Sequence, residues 1–261
     1  MALNSRLGGL VGVVVLLALW WLASVLLFQS SGVIPTPPSV FGKLLDGPLW
    51  ASTLRNTAAT VTSAAQGYLW GNLAAIALSV AVLLLPRLEA LANQIAIVTY
   101  CIPLVAIGPV LVIVAGRGSS GASVALAAMS CFFTTVVGCL VGLRAAPRAS
   151  VDLVRAYGGT GWTVLRKVQL ISALPSLFAA LKIAAPAAFL GAILAEYLGS
   201  GGSSTLGKAL IAAQAQADAP LLWYLALVSA VVSGLWYLLV GLVARVVTPW
   251  AAGTTATVGA T

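Results

Sequence analysis

Not one histidine occurs in the 261 residues, and only five side chains are acidic. A histidine proton relay, a histidine-bearing metal site and a Ser/His/Asp triad are therefore excluded. Five acids also leave little from which to assemble any other catalytic cluster, and no metal site is expected. Charge of either sign is scarce, at 7% of residues against about 25% in soluble domains. So thin a polar complement cannot cover a globular surface. The three cysteines, Cys101, Cys131 and Cys139, all lie inside apolar runs, and an odd number of thiols at that depth gives no disulfide framework. A GxxxxGK[ST] phosphate loop is missing too. GRGSSG (116–121) and GGTGWT (158–163) have glycines but no lysine at the required place, so no cofactor and no ATP is expected on this chain itself.

Apolar sequence is what the chain has in abundance, at 61% of residues. Runs of about 20 residues, the length that crosses a bilayer, recur along it. The reading is an all-α membrane protein with six spans near 10–28, 61–85, 91–114, 122–143, 177–198 and 221–247. The first run follows Arg6 and lacks a small-x-small cleavage site after it, so it reads as a retained span rather than a signal peptide. In SGVIPTPPSVFGKLL (31–45) the prolines preclude a regular helix before about Pro38. Val40, Phe41, Leu44 and Leu45 then form a short apolar face suited to a helix lying in the membrane interface. The expected division is an N-terminal span (1–30), an interfacial segment outside the cytoplasm (31–60), a five-helix core (61–247) and a disordered tail (248–261).

The net charge of +8 does not point to nucleic acid, because the cations fall between the apolar runs, where they fix orientation. With both termini on one side, that side receives Arg6, Arg87, Arg144, Arg148, Arg155, Arg166, Lys167 and Arg245. The other receives Lys43, Arg55, Arg117 and Lys208. The positive-inside rule puts both termini and the 144–175 loop between spans four and five in the cytoplasm.

That loop interrupts the apolar chain with VDLVRAYGGTGWTVLRKVQLISALP (151–175). Val151, Val154 and Tyr157 share a helical stripe. GGTG (158–161) breaks it, since consecutive glycines disfavour helix and permit left-handed turns. A second helix resumes from Trp162 to Leu170, and Pro175 closes the excursion. Such a knuckle suits either docking into a partner's groove or lying on anionic headgroups.

The stretch resembles the EAA loop of permease subunits of binding-protein-dependent ABC importers. That pattern runs E-A-A, three residues, G, nine residues, I, one residue, L-P. Here Asp152 stands in the Glu position, Leu153 and Val154 replace the two alanines, and Gly158, Val168 and Leu170 match, whereas Ile171 replaces the proline. IPTPPSV (34–40), AEYLGS (195–200) followed by STLGKAL (204–210), and PW (249–250) are similar to segments of the nitrate, taurine and alkanesulfonate branch. The resemblance implies a homodimeric permease in the bacterial inner membrane. Its Asp152, Arg155, Ala156, Tyr157, Gly158, Gly161, Trp162 and Leu170 would couple to a separate cytoplasmic ATPase that binds the ATP. It also implies a periplasmic or lipid-anchored binding protein that delivers a small solute: a sulfonate, taurine, nitrate, or a pyrimidine- or flavin-type vitamin precursor.

Glu196 is the one acid within an apolar span, where charge is costly and suggests function. It could line a translocation path, touch the binding protein or pair with Lys208. Lys182 can snorkel to the cytoplasmic boundary. Tyr100, Pro103 and Pro109 in TYCIPLVAIGP (99–109) mark the most disrupted span and the first candidate for pore lining. Gly67/Gly71 and Gly138/Gly142 have the spacing of close helix contacts. An ion-coupled secondary transporter is the main alternative, but no internal repeat and no midplane acid is evident. A membrane enzyme lacks residues for a catalytic cluster, and a channel would need a filter motif or charged rings.

Overall fold

The computed structural model describes residues 2–28, 32–85, 87, 89–116 and 118–253, and among these every regular element is helical. The elements are α1 (Ala2–Leu26), α2 (Pro37–Gly42) with a 3-10 turn at Lys43–Leu45, α3 (Gly47–Leu84), α4 (Glu89–Cys101), α5 (Leu104–Ala115) and α6 (Gly121–Arg144). They continue with α7 (Arg148–Ala156), α8 (Gly161–Val164), a π-helical stretch at Leu165–Gln169, α9 (Leu170–Tyr197), α10 (Leu206–Ala215) and α11 (Ala219–Val247). Among the described residues, four helices are long and apolar enough to cross a membrane unbroken: α3, α6, the continuous run Gly161–Tyr197, and α11. The fold is that of an all-α membrane protein, as its sequence predicts.

Four details differ from the sequence reading. The span expected at 91–114 is two helices, with Gln94–Cys101 and Leu104–Ala115 meeting at 92°. Pro103 does not kink a helix but ends one: it blocks helical backbone at Ile102 and starts α5 as its cap. Pro109 does lie inside α5. Second, α3 begins at Gly47, not 61. Asp46 caps it by accepting a hydrogen bond from the Leu49 amide at 3.1 Å, and Pro48 fits the first turn. The threonine-rich lead-in is helical all the same, and Thr62 and Ser63 satisfy their hydroxyls on carbonyls four residues back. Third, Pro175 closes nothing, since the helix runs through it. Fourth, Pro249–Gly253, expected as disordered tail, is a 3-10 helix; positions 254–261 lie outside the described residues.

α6 is the central strut, packed along α9 and α3. The seams are built from small residues because lipid gives apolar helices no reason to leave it for each other, so close van der Waals contact must hold them. A β-carbon at Gly71 would sit 2.6 Å from the Ala128 carbonyl oxygen, and one at Gly142 would sit 2.8 Å from that of Ala173. Polar ties add to these contacts: Thr135 of α6 donates to Asn72 of α3 at 2.5 Å, and the Tyr68 hydroxyl of α3 donates to the Leu181 carbonyl of α9 at 3.0 Å. Gly71→Ala is expected to cost about 1–3 kcal/mol through overpacking. The check is the midpoint of thermal unfolding in detergent. Gly234→Ala, where nothing lies within 4 Å, serves as the control and should leave that midpoint unmoved.

On the far end of the bundle from α7, Lys43 pairs with Asp218 at 3.1 Å and ties the 3-10 turn to the start of α11. Partial burial pushes the Asp218 carboxyl up, but the Leu221 amide and the Lys43 ammonium outweigh it and hold it below the usual range.

Candidate functional site

α7 has no buried residue and packs chiefly against α8. Its end is a Schellman turn: the Gly158 amide donates to the Arg155 carbonyl and the Gly159 amide to the Val154 carbonyl, each at 2.9 Å. Gly158 has φ +77°, which side chains other than glycine resist, and a β-carbon at Gly159 would meet the Val154 carbonyl oxygen at 2.6 Å. Thr160 then caps α8 by accepting from the Thr163 amide. The chain reverses sharply at the tip.

What the reversal presents is apolar and uncovered. Leu153 is 58% exposed, Tyr157 87% and Trp162 59%, with exposed Asp152, Arg155 and Ala156 around them. Immediately behind the tip, Val164 and Leu165 are buried, Leu165 in a cluster with Cys139, Leu143 and Ala173. The knuckle is thus a projecting head on a rooted neck. Arg148, Arg166 and Lys167 are exposed beside it. Of the coupling residues named from sequence, Asp152 through Trp162 share this head, while Leu170 lies beyond the neck as the first residue of α9. Leu153, which the sequence places only as a replacement for an alanine of the pattern, is an exposed part of this head.

The proposed path residues do not converge. Tyr100, Pro103 and Pro109 are exposed on the bent α4–α5 pair, and Tyr100 stacks on Phe133 with centroids 4.5 Å apart. Glu196 is elsewhere and fully buried, so it lines no open surface in this conformation. Its Oε2 accepts from the Thr60 hydroxyl at 2.8 Å and from the Gly207 amide at 3.1 Å. Thr60 in turn accepts from the Leu206 amide at 3.0 Å. Glu196 therefore fastens the end of α9 to α3 and to the first turn of α10, where helix N–H groups have no other partner.

Lys208, considered from sequence as the partner of Glu196, instead donates to the Gly201 and Gly202 carbonyls at 2.5 and 2.7 Å. Ser200 accepts from the Ser123 amide and donates to the Ser119 carbonyl, both at 3.1 Å. This knot closes the end of the bundle opposite the knuckle. Lys182 lies 4.3 Å over the Tyr237 ring between α9 and α11, a packed cation. The knot was hidden in sequence, although the Thr205 cap of STLGKAL marked the start of α10.

Residues 67–252 match the family described as the binding-protein-dependent transport system inner membrane component. A probable ABC transporter permease of Haemophilus influenzae is 29% identical over 211 residues, covering 80% of this chain and 83% of that one. The riboflavin transport system permease RibX of Chloroflexus aurantiacus is 28% identical over 249 residues, covering 94% and 90%. Among solved structures, an inward-facing form of the MetNI methionine ABC transporter superposes with a TM-score of 0.68 at 18% identity, covering 78% of this chain and 99% of that one. That likeness shows a shared fold.

Proposed function

The chain belongs to the family of inner membrane components of binding-protein-dependent transport systems, and on that premise we propose that two copies form the translocation path of an ABC importer for a flavin-type solute. Each copy docks a separate cytoplasmic ATPase with α7, the Gly158 turn and α8. The ATPase, not this chain, binds and hydrolyses ATP. A periplasmic or lipid-anchored binding protein delivers solute at the end closed by Glu196 and Ser200. The membrane is a bacterial inner membrane, with the knuckle and both termini on its cytoplasmic side, where the exposed cations of α7 and the neck favour them.

The observation that carries the coupling role is the knuckle itself. Leu153, Tyr157 and Trp162 are exposed, belong to no buried cluster among the described residues, and share one tip. An apolar head held by a Schellman turn is suited to a groove on a partner. The cargo rests on different support, the likeness to the riboflavin permease across nearly the whole chain. Tyr100, Pro103 and Pro109 are the path residues we favour, because the break at Ile102–Pro103 frees backbone carbonyls on an exposed face.

The test is uptake into vesicles holding the permease and its ATPase, supplied with the cognate binding protein. Riboflavin, a pyrimidine vitamin precursor, taurine, an alkanesulfonate and nitrate form the panel. ATP-dependent accumulation of riboflavin alone is the expected result. Accumulation of taurine, sulfonate or nitrate instead would overturn the cargo while keeping the importer. Uptake driven by an ion gradient without ATP would return the reading to secondary transport.

A further inference from the structure

α3 and α11 both pack on α9 yet barely touch each other. A cleft of about 330 Å³ remains between their N-terminal halves, roofed by α2 and the 3-10 turn. That volume is in the range of small-molecule pockets. The Lys43–Asp218 pair latches the roof in place. Along α11 the lining runs from Tyr224 to Leu235, about 16 Å at 1.5 Å per residue. Exposed Trp50 and Leu235 edge its mouth, so it opens sideways at a depth where lipid surrounds the protein.

The cleft carries three hydroxyls, on Thr53, Thr57 and Tyr224, and all three lack partners among the described residues. Thr53 and Tyr224 are each 2% exposed. Their hydroxyls, with that of Thr57, find no hydrogen-bond partner among the described residues. Further along the same helix, hydroxyls satisfy themselves on the carbonyl four residues back: Thr62 at 2.8 Å and Ser63 at 3.3 Å. Thr53 and Thr57 do not. A buried hydroxyl left unpaired is costly, so three around one apolar cleft call for a ligand that accepts hydrogen bonds at one end only.

We propose that the cleft holds one acyl chain of a membrane lipid, with its ester carbonyl under the roof and its methylenes toward Leu235. A carbonyl oxygen has two lone pairs and takes hydrogen from hydroxyl donors. Apart from the Trp50 indole N–H at the mouth, the remaining lining, Val228 among it, is hydrocarbon. A helix from a second copy is about 10 Å across, too bulky for this volume. A polar solute would find neither charge nor amide in the cleft. The lipid is a structural ligand that wedges α3 and α11 apart beneath α2, separate from any solute path.

The experiment uses the full chain in nanodiscs containing phospholipids with a photoactivatable group on one acyl chain, in ester-linked and ether-linked forms. The ester form should label segments 50–57 and 224–235 about fivefold more than the ether form, the worth of roughly one net hydrogen bond. Val228→Trp should abolish labelling there and spare the exposed outer face of α11 at Leu239 and Val243. The isosteric Thr53→Val, Thr57→Val, Tyr224→Phe combination should erase the ester preference without abolishing labelling. Equal labelling by the two forms in the unmodified protein, a comparison that needs no variant, would overturn the proposal. So would indifference to Val228→Trp. A disulfide forming between copies through Leu54→Cys and Val231→Cys would assign the cleft to a protein partner and overturn it as well.

Discussion

Tyr157→Asp is expected to reduce ATP-driven uptake to background while the permease still inserts and unfolds at its normal temperature. The side chain is 87% exposed and α7 has no buried residue, so nothing in the bundle depends on it. In a docked complex the same ring would be a buried anchor. Truncating such an anchor costs about 2 kcal/mol or more, roughly 30-fold in affinity, and burying a carboxylate against an apolar groove adds to that cost. Gly158→Pro reaches the same end by another route. Proline fixes φ near −65°, where the native turn has +77°, and it deletes the amide that donates to Arg155. The head would point elsewhere while the Leu165 neck stayed rooted. Co-purification of the ATPase and ATP-dependent uptake read both variants. Coupling that survived both would remove the knuckle from the mechanism.

The second large effect is expected at the opposite end. Glu196→Ala leaves the Thr60 hydroxyl and the Gly207 amide buried without their acceptor, at about 1–3 kcal/mol for each, and opens a void where a fully buried side chain stood. The start of α10 would be held less firmly to α9, because the Gly207 amide loses the Oε2 acceptor that ties it there. Glu196→Gln keeps an acceptor oxygen and the volume, so it should retain most of the stability that alanine loses. Thermal unfolding in detergent separates the two. An alanine variant as stable as the parent would show that the knot is not a fastening. If glutamine instead abolished uptake without lowering stability, a role in the path would be restored to this residue.

The knuckle was legible because its signals are local. A helical stripe, a run of glycines and a resumed helix within about twenty residues leave few conformations to choose from. The family pattern laid on Asp152, Gly158 and Leu170 suggested the docking role proposed above. Glu196 was legible as unusual but not as a fastening, since its partner Thr60 is 136 residues away in sequence and nothing local announces it. The threonines before residue 61 read as a polar lead-in because hydropathy cannot see a hydroxyl returned to its own helix. Pro103 was recognised as a disruption, yet whether a proline bends a helix or ends it depends on what packs around the freed carbonyls. The cleft under α2 depends on the spacing of α3 and α11, which is a tertiary quantity with no sequence signature.

The unbroken run from Gly161 to Tyr197 has a mechanical meaning. At 1.5 Å per residue its 37 residues measure about 55 Å, and α6 grips it near both ends, at Ala173 through Gly142 and near Gly191 through Ala127. Two rods clamped at two points make a girder, which tilts but does not shear. A tilt of this pair as one body would therefore carry its two ends together: the neck behind the Tyr157 tip, and the Glu196 and Ser200 knot at the opposite end of the bundle.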